Sequence, residues 1–125
     1  MKIFALALAC TSALAFADAG ATLDGKTFAV ESTEKGKTAV EKDTIEFKAG
    51  KLHSPGCDQW GFGAGAYKAT KKGDAIAFEA DTRSAKEGKI HWTGTVKGDA
   101  IDASYVWTKT GQKAIEYTLK GKLAK

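Results

Sequence analysis

The chain has 125 residues, 19 Lys and Arg against 15 Asp and Glu for a net charge of +4, and is 43% hydrophobic. That length holds one domain. The lysines are scattered among Thr, Glu and Asp and the single arginine is Arg83, so the charge reads as a solvated exterior and excludes a basic nucleic-acid footprint.

Lys2 is followed by an apolar run, Ile3 to Phe16, broken only by Thr11 and Ser12, and Ala15-Phe16-Ala17 is a small-x-small cleavage site. This predicts a signal peptide over 1–17, cut after Ala17 or after Ala19, because the run is too short to span a bilayer. A lipid anchor on Cys10 is the alternative, and Ala7-Leu8-Ala9 before it fits that pattern poorly. Cleavage after Ala17 leaves 108 residues (125 − 17), removes Lys2 and lowers the charge to +3. The expected product is a single domain over 20–125, periplasmic or secreted, with no membrane span. Cys57 is then the only cysteine left, so no intramolecular disulfide can form.

Taken in order, the mature chain alternates apolar and polar residues. Phe28 and Val30 share one face of the first run, Ile45 and Phe47 one face of the second, and Leu52 follows in a short third. His53 to Ala66, reading HSPGCDQWGFGAGA, holds the only proline and four glycines and predicts a long loop. Tyr67 and Ala69, then Ile76, Phe78 and Ala80, resume the period of two. Lys89 to Thr108 is the clearest stretch: Ile90, Trp92 and Val96 share a face, as do Ile101, Ala103, Tyr105 and Trp107, with Lys97-Gly98-Asp99 turning between them. Ile115, Tyr117, Leu119 and Leu123 close the series. Lys72-Gly73-Asp74-Ala75-Ile76 recurs as Lys97-Gly98-Asp99-Ala100-Ile101, one hairpin solution used twice and too few units for a solenoid.

The runs number eight, near 27–31, 44–48, 51–54, 66–71, 75–81, 89–97, 100–108 and 114–123. Short connections favour antiparallel neighbours. A sheet of this many strands with one greasy face must curl or fold on itself, and sequential hairpins favour curling. The predicted class is all-β: an eight-stranded antiparallel up-and-down meander closing into a small barrel.

Leu23-Asp24-Gly25-Lys26-Thr27-Phe28, Trp92-Thr93-Gly94-Thr95-Val96-Lys97-Gly98-Asp99 and Tyr105-Val106-Trp107 through Gly111 to Tyr117 and Gly121 resemble the calycins, and more narrowly the small exported bacterial lipocalin-like proteins. The lipocalin Gly-x-Trp motif is not matched, since Gly25 is followed by Lys26-Thr27-Phe28. The resemblance implies a lipocalin-like barrel that binds a small hydrophobic or amphipathic molecule in its mouth.

An eight-stranded barrel is filled by side chains or holds one small ligand. In the second case Tyr67, Trp92, Tyr105, Trp107 and Tyr117 are the expected contacts, each an apolar body with a polar handle, and the small Ala80, Gly94 and Ala103 leave room. Trp60 and Phe62 form either an aromatic lid or a permanent plug over one end. Cys57 is a buried apolar residue by default; as a reactive thiol or, with His53 and His91, a soft-metal ligand it has only weak spacing in its favour. No cofactor or metal is expected, and no nucleophile elbow, phosphate loop or zinc-protease motif points to an enzyme. The expected function is ligand binding by a monomer or weak dimer. The alternative is a filled-core structural or protein-interaction module, an envelope accessory or inhibitor acting through the 53–66 loop. A filled interior with Trp92 against Trp107 separates it from a carrier.

Overall fold

Every alternating run of the sequence becomes a strand in the computed structural model, which describes residues 22–124. The expected signal peptide lies outside the described residues. The strands are β1 (Thr27–Glu34), β2 (Glu41–Lys48), β3 (Lys51–His53), β4 (Ala64–Lys72), β5 (Ala75–Ser84), β6 (Gly88–Lys97), β7 (Ala100–Lys109) and β8 (Gln112–Leu123). Each pairs antiparallel with the next, and β8 returns to β1 to close a barrel. The closing register runs from Phe28 opposite Leu123 to Glu34 opposite Tyr117. Closure satisfies the backbone groups that an open sheet leaves at its edges. No helix among the described residues is long and apolar enough to cross a membrane.

Local chemistry sets the joints. Gly73 and Gly98 open the two echoing hairpin turns, with φ of +63° and +60° that a side chain would resist. Between β3 and β4 the predicted long loop is partly ordered as a 3-10 helix, Pro55–Trp60. Pro55 stands at its start, where a missing N–H costs nothing, and Gly61 ends it in the left-handed conformation.

One end of the barrel is filled. Phe47 meets Phe28, Tyr67 and Phe78 edge to face, with ring centroids 6.2, 4.9 and 5.2 Å apart. Such pairs add roughly 0.5–1.5 kcal/mol each beyond the area they bury. The segment before β1 crosses beneath them. Leu23 is fully buried, Gly25 N–H donates to the Phe47 carbonyl, and the Tyr67 hydroxyl donates to Asp24 while accepting from the Leu23 N–H. That phenol and the Gly50 N–H hold the Asp24 carboxyl below its usual range.

Gly94 sits inside the wall near this floor. A Cβ there would stand 2.5 Å from the Ala103 Cβ on the neighbouring strand. Gly94 therefore leaves room for Ala103 beside it, and Ala80, Gly94 and Ala103 do not line the open space.

Candidate functional site at the open end of the barrel

The inward-facing positions change character along the barrel axis. On β1 the inward series runs Phe28, Val30, Ser32, Glu34; on β2 it runs Phe47, Ile45, Asp43, Glu41; on β5 it runs Phe78, Ala80, Thr82, Ser84. Side chains alternate across a strand without regard to polarity. Three strands thus turn polar on their inner face at the same end, away from the phenylalanine floor.

A cavity of about 740 Å³ opens there. One wall is aromatic. Tyr105 and Tyr117 stack with ring centroids 4.6 Å apart and an interplanar angle of 11°, and Trp92 lies 4.5 Å from Tyr105 on the core side. The Trp107 indole N–H donates to the Glu87 carbonyl at 2.6 Å, and Lys109 pairs with the Glu87 carboxylate at 2.9 Å, so β7 is tied to the β5–β6 turn. The Tyr105 hydroxyl donates to Ser32 Oγ at 3.1 Å. Ser32 is only 8% exposed, lines the cavity, and finds no acceptor for its own proton among the described residues.

The facing wall is the 3-10 helix and the residues after it, with Cys57, Trp60 and Phe62 turned to the cavity. Several anchors seat this segment. The Ser54 hydroxyl and the Gly56 N–H both donate to the Asp43 carboxylate. A Cβ on Gly56 would come within 2.8 Å of that carboxylate, so glycine permits the docking. His53 links Asp58 at 2.8 Å to Glu46 at 3.2 Å, and the Ser84 hydroxyl donates to the Trp60 carbonyl at 2.8 Å. The two aromatic residues differ in burial: Phe62 is 6% exposed, and Trp60 stands 55% exposed at the mouth.

Electrostatics follow from this burial. Burial lifts the Tyr105 phenol to about 12 and raises that of Tyr117, with Glu34 and Glu41 reinforcing the second shift. Burial also raises the Cys57 thiol, and the Asp43, Asp58 and Glu41 carboxylates push it further the same way. A protonated thiol is a poor nucleophile. The hydrogen bond to Asp58, helped by Glu46, raises the His53 imidazole against the opposing effect of desolvation.

Of the residues singled out in the sequence, Tyr105, Trp107, Tyr117, Trp60, Phe62 and Cys57 surround this one cavity. Tyr67 belongs to the floor, and Trp92 is buried with its indole N–H on Thr82 Oγ1; neither lines the open space. Tyr105, rather than Trp107, is the ring partner of Trp92. His91 sits on the outer face opposite Asp81, which it holds below the usual carboxylate range. Among the described residues no group of three or more His, Cys, Asp or Glu is placed to hold a metal ion. Sequence reasoning missed Ser32, Glu41, Asp43 and Glu87. The first three keep the inward phase of their strands, and extending that phase past the last apolar residue finds them.

Comparison of the chain with protein families, with curated proteins and with solved structures finds no match.

Proposed function

We propose that the protein is an exported carrier, calycin-like in its barrel, that holds one small apolar or amphipathic molecule at the open end. The observation that supports this reading is the cavity of about 740 Å³ faced by Tyr105, Trp107, Tyr117, Trp60 and Phe62. Small-molecule sites are concave chambers of roughly 300–1,000 Å³, mostly apolar with a few placed polar groups. Here the polar groups include the Ser32 hydroxyl, Gln59, Lys42 and the carboxylates of Glu41, Asp43 and Glu87. Cys57 is part of the wall, with no role as a nucleophile, and the activity is binding without chemistry. Export rests on the leader-like 1–17 segment.

Native mass spectrometry of the protein purified from its own host tests this. The expected result is a mass increment that organic extraction removes, with the emptied protein then binding the neutral dye N-phenyl-1-naphthylamine. A protein that carries no increment and takes up no dye contradicts the reading.

A second reading, recognition of a protein through the 53–66 segment, draws on Trp60, exposed at 55%. It expects Trp60→Ala to abolish partner binding and leave dye uptake intact.

A further inference from the structure

We infer that the cavity selects an organic cation: a small amphipathic amine or quaternary ammonium whose apolar body lies among the aromatic rings and whose charge sits beside Glu41 and Asp43. The inference rests on the carrier reading above and names the ligand class for the same site.

The β2 register carries the first part of the argument. Glu41 and Asp43 share the inward phase of Ile45 and Phe47, and both line the cavity. Lys42 falls between them on the outward phase, opposite Glu31 of β1, and is the one lysine among the lining residues. Two other acids at this end have cations of their own. Glu87 is paired with Lys109 at 2.9 Å, and Glu34, opposite Tyr117, with Lys37 at 3.7 Å. Glu41 and Asp43 form no ion pair with any described residue, and the donors on Asp43, a hydroxyl and a backbone N–H, leave its charge in place.

This is the reverse of the chain as a whole, which is net positive at +4. Unpaired carboxylates at inward positions of a basic protein favour a cation there and repel an anion such as a fatty-acid carboxylate. The rings act in the same sense. Tyr105 is held between Trp92 and Tyr117, and Tyr117, Trp107 and Trp60 supply the aromatic lining whose quadrupoles attract a cation, the usual basis for recognition of ammonium groups. A bare metal ion does not fit this lining, because hard divalent cations need six or more oxygen ligands. Ser32 completes the site: its proton, buried and without an acceptor among the described residues, offers one hydrogen bond to an oxygen or nitrogen on the ligand body.

Three probes with one tail and different heads test this: decyltrimethylammonium, decanol and decanoate, each below its micelle concentration, titrated by tryptophan fluorescence and calorimetry. The expected order is ammonium, then alcohol, then carboxylate, with ammonium roughly tenfold or more tighter than carboxylate at low salt and the gap narrowing as salt rises. Glu41→Lys is expected to cancel or invert the order. Glu31→Lys, on the outer face, is expected to leave it as it is. Tighter binding of decanoate, or a head-group order indifferent to Glu41→Lys, overturns the cation inference and leaves the carrier reading standing. Binding of none of the three, in protein whose thermal unfolding is normal, overturns both.

Discussion

At one end of the barrel Phe28, Phe47 and Phe78 meet edge to face above a buried Leu23; at the other, Tyr105 and Tyr117 stack beside open space. The same strands build both. β1 contributes Phe28 to the floor and Ser32 to the cavity, and β2 contributes Phe47 to the floor and Asp43 to the cavity. A strand crossing from a packed region to a wet one keeps its alternation and changes its chemistry. The floor supplies the stability that lets the mouth remain unfilled, since unfilled apolar space in a core is itself destabilising.

This contrast can be broken most forcefully at the floor. Phe47→Ala is expected to lower the free energy of unfolding by about 3–5 kcal/mol, as truncation of a fully buried aromatic does, whereas Tyr117→Ala at the mouth should cost less than half as much and weaken dye binding instead. Urea unfolding paired with a dye titration checks both halves. Equal stability losses would erase the distinction between the two ends.

The next effect is alkaline and belongs to the mouth. Tyr105 ionises near 12 in the folded chain and near 10 when unfolded, so between those values the folded state holds the extra proton. Stability is therefore intact below pH 10 and falls as pH rises toward 12, by roughly 2 kcal/mol. Tyr105→Phe should flatten that fall without improving stability at neutral pH, and unfolding curves across that pH range read it directly.

The smallest effect concerns the cover. The His53 imidazole is raised by Asp58 and Glu46, so its contribution is fully present below the unfolded value of about 6.5 and is lost as pH rises through the folded value. These partners are part exposed, and the contribution should be under about 1 kcal/mol. An NMR titration should place His53 above an unperturbed imidazole and show Asp58→Asn lowering it. Proteolytic nicking of the 53–66 segment should accelerate as His53 loses its proton, and no acceleration would mean that the Asp43 and Ser84 anchors suffice alone.

The fold was largely legible because the β6–β7 hairpin, with Trp92, Tyr105 and Trp107 on one phase, and the two Lys-Gly-Asp turns are local signals. Closure itself is a non-local fact, set by the pairing of Phe28 with Leu123 nearly a full chain away, and only the number of runs hinted at it. The predicted strands stop short at the mouth. β1 extends to Glu34 where the hydrophobic pattern ends near 31, β2 begins at Glu41 rather than 44, and β5 extends to Ser84 rather than 81. Periodicity reads burial, and inward residues that face water or a ligand carry no apolar mark. The aromatic side of the site was therefore visible and its carboxylates were not. The 3-10 helix was hidden too, because its seat depends on Asp43 from another strand.

The most direct measurement of the central claim is where an apolar molecule lands. N-phenyl-1-naphthylamine added to isotope-labelled protein should shift the backbone amides of Cys57, Trp60, Tyr105, Trp107 and Tyr117 and the indole N–H of Trp60 and Trp107, leaving Phe28, Phe47 and Phe78 unmoved. Shifts centred on the floor, or none at saturating dye, would contradict the account of a barrel packed at one end and receptive at the other.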